Sequence, residues 1–351
     1  MISIEIDGRR VDVPSGFSVK EALEKLGYDI SMHPADKGLL MPCQVGGCWA
    51  CALEIEGVSR PACTTQVQLG MRIKTWAPRG TPRRMVSGFM GHKAGGVGTP
   101  WWLESGLGFL EAVCFTSGCN FCCPQCQNWR YAYMDYGDLL SPQEAAERMT
   151  ETKRQCGVER IAISGGECTL NRPWLVSFIR LLREQNPIAR IHVDTNGSIL
   201  TEEYIDELVA AGMTDIGIDL KALNLSTFME ITGLLDEGLA AKYLQTAWEA
   251  AKYLHHRHPH VFLGIGIPFN EALISIAEIQ EMAERIVEID PWIQVCLLDY
   301  RPEFKRPDLV RPSHWQMLEI HYILRDCGLQ SVVCQTERGK IGPAGRLLGG
   351  V

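Results

Sequence analysis

The sequence predicts an α/β protein: a partial (β/α)6 barrel preceded by a small β-grasp domain. Three observations carry this. From residue 111 onward, short apolar runs alternate with amphipathic stretches, the pattern of parallel βα units. The first 75 residues instead read as a hairpin, one helix and further strands, which is a β-grasp order. The 14 cysteines of the 351-residue chain fall mainly into two tight groups, one in each part.

Ile2, Ile4 and Ile6 alternate with Ser3 and Glu5, as in a half-buried strand. Asp7-Gly8 is a turn signal, and Val11 and Val13 alternate on the return strand. Ser18 and Glu21 form a capping box for a helix reaching Leu26, and Gly27 ends it. A cysteine-bearing loop follows, then strands over 52–58 and 71–76. Residues 77–110 are rich in Gly and Pro and carry Arg79, Arg83, Arg84 and Lys93, with no acid before Glu104. They read as a solvated linker crossing the second domain's surface, the alternative being a basic docking arm for an acidic partner. Beyond it, strands are expected at 112–115, 160–164, 190–194, 215–220, 261–267, 293–298 and 330–335. Helices are expected between them at 141–156, 173–185, 202–211, 238–256, 273–287 and 314–327. The domains are therefore 1–76, a linker 77–110, and 111–351. Chemistry in such a barrel sits at the C-terminal strand ends.

A formal charge of −8 argues against a generic nucleic-acid binder. No apolar run approaches the roughly 18–20 residues of a membrane span, and the first 30 residues carry no charged-then-apolar leader. The expectation is a cytoplasmic protein with no nucleic-acid or membrane partner. Its cysteines should then be thiols used for metal, redox chemistry or burial, not disulfides.

Cys43-x4-Cys48-x2-Cys51 with Cys63 beyond has the C-x4-C-x2-C…C spacing of plant-type [2Fe-2S] sites. Gly46 and Gly47 let that loop curl around an inorganic core. Four cysteines also satisfy tetrahedral zinc, although zinc sites more often use two separated pairs. The second group, GCNFCCPQCQN, contains Cys119-x3-Cys123-x2-Cys126. Three thiolates leave one iron of a [4Fe-4S] cubane open to a small-molecule ligand. Cys122 creates a competing register with Cys119 and Cys126.

The segment from Pro42 to Cys63 resembles the ferredoxin-like [2Fe-2S] domains at the N-termini of larger oxidoreductases, which implies electron transfer. The second group resembles the radical S-adenosylmethionine (SAM) superfamily over residues 112–305. It is most similar to the glycyl-radical-enzyme-activating branch of the pyruvate formate-lyase activating type. Ser164-Gly165-Gly166-Glu167 resembles the GGE motif that binds the methionyl amino group. Asp194-Thr195-Asn196-Gly197 matches a DTNG element, and Asp219-Leu220-Lys221 a DLK element. The resemblance implies SAM contacts from Gly165, Gly166, Glu167, Asp194, Thr195, Asp219 and Lys221. It also implies a monovalent-cation site at Asp194, Thr195 and Asp219, with Lys221 facing the cofactor carboxylate. Residues 264–268 resemble the apolar strand that flanks the adenine. Three departures stand out: Cys122 where a basic residue is common, Gln125 where an aromatic precedes the last cysteine, and Cys168 in place of proline after GGE.

The resulting expectation is a radical SAM oxidoreductase. Cys119, Cys123 and Cys126 hold the [4Fe-4S] cluster, and Cys43, Cys48, Cys51 and Cys63 hold a [2Fe-2S] donor. An external low-potential electron donor supplies it. The resemblance favours a glycyl radical enzyme as protein substrate. The alternatives are another peptide, a small molecule, or a two-cluster electron carrier without SAM chemistry. Elsewhere, Cys114 and the scattered cysteines read as buried or ordinary residues. The histidines of 255–260 read as a solvated helix end, and Trp101 and Trp102 as packing for the linker. Trp129 could shield the cluster. Asp299, Tyr300 and Arg301 could line a substrate pocket.

Overall fold

A computed structural model describes residues 1–76, 80–103 and 108–348; Arg79 and Glu104 lie outside them. Strands β1 (Ile2–Ile6) and β2 (Arg9–Val13) form the predicted antiparallel hairpin. Helix α1 (Val19–Lys25) starts at the Ser18–Glu21 capping box. Strands β3 (Ala52–Ile55), β4 (Val58–Pro61) and β5 (Arg72–Lys74) complete a mixed sheet of order β2-β1-β5-β3-β4, with β1 and β5 parallel. Val19, Ala22 and Leu23 of α1 share its core with Ile4, Ile6, Leu53 and Ile55. The single strand expected over 52–58 is in fact a hairpin. Glu56 and Gly57 both have positive φ, 53° and 77°, which makes a two-residue turn. Glu is an unusual occupant of that conformation, so the sequence did not betray the turn.

The segment read as a surface linker is built into the second domain. Strand β6 (Arg84–His92) pairs antiparallel with β7 (Glu111–Thr116), and a short strand Asp138–Leu140 covers its other side. Composition pointed to a solvated coil. The first barrel strand, however, would otherwise present an open edge, and β6 satisfies its backbone groups.

Seven parallel strands follow in sequence order: β7, β8 (Arg160–Gly165), β9 (Arg190–Thr195), β10 (Asp215–Asp219), β11 (Phe262–Phe269), β12 (Gln294–Asp299) and β13 (Ser331–Thr336). The crossovers contain α2 (Pro142–Cys156), α3 (Arg172–Gln185), α4 (Glu202–Ala211), α5 (Glu237–Arg257), α6 (Ile276–Ile289) and α7 (His314–Asp326). These are the expected helices to within three residues. An additional helix, Leu225–Thr232, precedes α5.

Alternation along the strands separates two faces. Ile161, Ile163, Ile191, Val193, Ile216, Ile218, Ile265 and Ile267 share one apolar core with the helices. The intervening positions carry Glu111, Arg160, His192, Asp194, Asp215 and Gln294. They form a buried polar network instead of an apolar filling. His192 lies 3.4 Å from Glu111 and 2.8 Å from Asp194, and Arg160 lies 3.2 Å from Asp215.

Residues 95–99 run against this inner face. Gly98 N–H donates to Asp194 at 3.4 Å, Thr99 Oγ1 to Glu111 at 3.1 Å, and Gln294 Nε2 to the Thr99 carbonyl at 2.8 Å. Gly264 and Gly217 make the room: a Cβ on Gly264 would stand 2.0 Å from the Val97 carbonyl oxygen, and one on Gly217 2.5 Å from Gly98 N. Trp102 closes edge-to-face on Phe262 at 5.7 Å. Among the described residues, no helix is long and apolar enough to cross a membrane.

Candidate active site

The two cysteine groups meet where the domains touch. In the N-terminal group the thiols converge: Cys51 Sγ lies 3.4 Å from Cys63 Sγ, and the Cys43 sulfur takes hydrogen bonds from the Cys48 and Cys63 thiols. Cys43, Cys48 and Cys51 are buried. Burial, then the thiol contact with Cys43, pushes Cys48 well up. Four crowded thiols, with Cys48 and Cys63 strongly disfavoured as anions, suit a bound iron group, because metal ligation is what deprotonates such thiols.

The loop carrying them is seated on the barrel. Met85 N–H donates to the Gly47 carbonyl at 3.2 Å. Asn171 Nδ2 donates to the carbonyls of Cys48 at 2.9 Å and Arg83 at 3.1 Å. A Cβ on Gly118 would lie 2.9 Å from Cys48 N and 3.2 Å from Cys43 Cβ. The residue before Cys119 is thus in contact with the N-terminal cysteine loop. Tyr243 OH donates to the Met32 carbonyl at 2.8 Å and fastens the same domain to α5.

Cys119, Cys123 and Cys126 open together into a cavity of about 180 Å³ at the C-terminal strand ends. Burial pushes Cys119 well up and Cys123 to about 12, so these too are protonated as bare thiols. Cys122 is exposed, its N–H donates to the Thr232 carbonyl, and it does not line the cavity. Of the two registers, the cavity lining includes Cys123 with Cys119 and Cys126 and leaves out Cys122. Gly165, Gly166, Asp194, Thr195, Asp219 and Lys221 line the same cavity. Lys221 Nζ donates to Asp219 at 3.0 Å and Tyr300 OH at 2.9 Å. Burial opposes its charge, but Asp219 and Tyr300 hold it well above the usual lysine value.

Several expected roles change. Glu167 is fully buried and outside the cavity. Its carboxylate is consumed by Thr169 N–H at 3.0 Å, Thr169 Oγ1 at 2.6 Å, Thr195 Oγ1 at 2.7 Å and Asn196 N–H at 2.6 Å. It ties the ends of β8 and β9 together instead of facing a ligand. Residues 264–268 do not line the cavity either, since the 95–99 strap covers Gly264 and Gly266. Trp129 stacks on Phe304 at 5.3 Å, and the aromatic over the cysteines is Tyr133, whose hydroxyl donates to the Cys123 carbonyl at 3.3 Å. Gln125 Nε2 donates to the Ile231 carbonyl at 2.7 Å and lines the cavity. Tyr300 lines it as well, whereas Asp299 pairs with Arg311 and Arg301 donates to Gln127 at 3.4 Å. Cys168 is buried, with its sulfur 3.1 Å from the Asp194 carbonyl oxygen.

A second cavity, about 320 Å³, shares Ser164, Asp194, Asp219, Leu298 and Gln335 with the first and continues into the barrel. Gly95, Gly96 and Val97 of the strap, His92, Glu111 and Lys340 also line it. The sequence reading missed this chamber. The available signal was the glycine spacing of 95–98 set against Gly217, Gly264 and Gly266, which marks close backbone approach.

Fold and site together define an α/β-barrel protein with two iron–sulfur cysteine groups, one of them open to a small-molecule ligand. Residues 113–286 match the radical SAM superfamily and residues 1–78 match the 2Fe-2S iron-sulfur cluster binding domain. Residues 113–286 thus carry a radical SAM domain and residues 1–78 a 2Fe-2S domain. The first assignment implies a [4Fe-4S] cluster with SAM, and the second a [2Fe-2S] cluster.

Among curated relatives, the GTP 3',8-cyclase of Gloeobacter violaceus is 33% identical over 117 residues, which is 33% of this chain and 35% of the relative. That of Petrotoga mobilis is 26% identical over 187 residues, 53% of this chain and 57% of the relative. The chain therefore spans a third to just over half the length of these relatives. They are cyclases, not the activating enzymes that the motifs resemble. Partial overlaps occur with coproporphyrinogen III oxidase (HemN) from Escherichia coli, with TM-score 0.44, 17% identity and coverage of 65% and 56% of the two chains. The maturase HydG from Carboxydothermus hydrogenoformans gives TM-score 0.46, 17% identity and coverage of 59% and 48%.

Proposed function

We propose that this chain is a radical SAM enzyme acting on a small polar molecule held inside the barrel, with the N-terminal domain as its built-in electron donor. The continuity of the cysteine cavity with the 320 Å³ inner chamber carries this reading. Cys119, Cys123 and Cys126 would hold a [4Fe-4S] cluster, which when bound would supply the electron for reductive cleavage of SAM and so the means to take hydrogen from substrate. Lys221 is placed to meet a carboxylate of the cofactor. The main chain at Gly165–Gly166 is placed to meet its amino group, and Asp194, Thr195 and Asp219 are candidate cation ligands. The protein's own share is to orient these groups and exclude water.

The chamber is where this reading parts from a glycyl radical activase: the strap fills one end, leaving room for a compact molecule. The cyclase relatives also favour small-molecule chemistry, though not GTP itself. Lys221 and Lys340 face Glu111, Asp194 and Asp219, so the described lining carries no excess of positive charge and, among the described residues, no cationic clamp of the kind a triphosphate needs.

The contact of Gly118 with Cys43 and Cys48 supports electron entry through Cys43, Cys48, Cys51 and Cys63. The test is anaerobic reconstitution followed by assay of 5′-deoxyadenosine. Its release under reduction is expected, and none at all would favour a two-cluster carrier. A Cys63→Ser variant should lose turnover with a protein reductant and keep it with dithionite. Full turnover with the protein reductant would exclude the in-chain donor. Val113→Phe, which narrows the chamber, should abolish substrate-dependent product.

A further inference from the structure

Arg84 is the first residue of β6 and one of the largest fully buried side chains in the molecule. Its hydrogen-bond partners are all main-chain carbonyls: Cys168 at 2.5 Å, Glu167 at 2.6 Å and Ser117 at 3.1 Å. Its Nε has no partner, and among the described residues no carboxylate pairs with it. A buried cation without a counterion is costly, and such groups persist where another charge compensates them.

The location says which charge. The flanking residues grip the N-terminal cysteine loop, with Met85 N–H on the Gly47 carbonyl and the Arg83 carbonyl joined to that of Cys48 through Asn171. On the guanidinium side, Ser117 is itself in contact with Gly47: a Cβ there would lie 2.8 Å from the Ser117 carbonyl carbon.

We propose that Arg84 is the countercharge of the N-terminal cluster: a buried guanidinium on the carbonyl of Ser117, the residue packed against Gly47, that favours the reduced form of the group held by Cys43, Cys48, Cys51 and Cys63. The proposal rests on the four-cysteine reading above. Reduction by an external one-electron donor adds one negative charge to the cluster and its thiolates, with no bond made or broken and no proton moved. A nearby buried cation lowers the energy of that added charge and so raises the reduction potential. Arg84 thus acts as a positioning and electrostatic residue, tuning the donor while bracing the Ser117 and Glu167 turns of the barrel site.

The experiment is an EPR-monitored potentiometric titration of the reconstituted full chain, comparing wild type, Arg84→Gln, Arg84→Lys and Arg83→Gln. At the wild-type midpoint, Arg84→Gln should lower the ratio of reduced to oxidised [2Fe-2S] cluster at least tenfold, about 59 mV for one electron. Arg84→Lys and Arg83→Gln should each stay within about threefold of wild type. If Arg84→Gln loses the cluster, Arg84→Lys decides: a retained cluster at the wild-type potential supports the countercharge. An Arg84→Gln cluster titrating like wild type overturns the proposal. So does a lysine variant that shifts as far as the glutamine variant or loses the cluster with it. A wild-type protein without a [2Fe-2S] signal would instead refute the four-cysteine reading.

Discussion

Glu167→Ala separates two roles for the acidic residue of the GGE motif. In the structure its carboxylate is fully buried and accepts hydrogen bonds from two main-chain N–H groups, of Thr169 and Asn196, and from the hydroxyls of Thr169 and Thr195. The hydroxyls can rotate toward other acceptors, but the two N–H groups cannot. Leaving each buried and unpaired costs about 1–3 kcal/mol, so the alanine variant should lose about 2–6 kcal/mol. That is a large share of a typical domain's stability, about 5–15 kcal/mol. Glu167→Gln keeps one acceptor oxygen but turns an amide NH2 toward a donor, so roughly half the loss is expected. Urea unfolding read together with amide exchange at Thr169 and Asn196 measures both. The reasoning fails if Glu167→Ala unfolds within about 1 kcal/mol of wild type with Asn196 still protected while SAM affinity collapses. The carboxylate would then be a cofactor ligand.

The buried network makes stability depend on pH in both directions. Although burial opposes its charge, Asp194 and Glu111 raise His192 to about 10, against an ordinary value of 6.5. Its contribution is therefore complete below about 6.5 and lost as pH rises through about 10. Glu111 is held below its ordinary range by His192 and His92 despite burial, so its contribution exists above that range and is lost in acid. Thermal melts of His192→Gln should lack the alkaline loss, and an unchanged alkaline limb would contradict the assignment. Gly264→Ala drives a methyl against the Val97 carbonyl, and overpacking of this kind costs about 1–3 kcal/mol; proteolysis within 95–99 should accelerate, and equal resistance would argue against the strap. Asn171→Ala removes both bonds to the Cys48 and Arg83 carbonyls and the cap on Trp174 N–H. Slower reduction of the second cluster by a protein donor is expected, measured by rapid mixing, and an unchanged rate would count against the domain contact as the electron route.

Local signals were strong where one residue type dominated a short window. The Ser18–Glu21 and Ser141–Glu144 caps, the isoleucine-rich strands and the seven proposed cluster cysteines could be read from neighbours along the chain. Strand β6 could not, because its glycines and arginines resemble a coil and its partner β7 begins only at Glu111, well beyond His92. The pairing joins Ser87 to Phe115 and His92 to Glu111, contacts that no short window along the chain displays.

The sequence by itself determined the alternation of strands and helices, the two cysteine groups and the chemistry they admit, because each depends on residue type and spacing within a few turns of chain. The tertiary structure decided what those residues face. It sent Glu167 into a strand-end lock, exposed Cys122, drew residues 95–99 into the barrel and set Arg84 against the Ser117, Glu167 and Cys168 carbonyls. Each of these outcomes depends on partners distant in the chain, as with Arg84 and Ser117, separated by 33 positions. Burial and hydrogen-bond satisfaction are properties of the assembled core, and they choose among side-chain roles that the local sequence leaves equivalent.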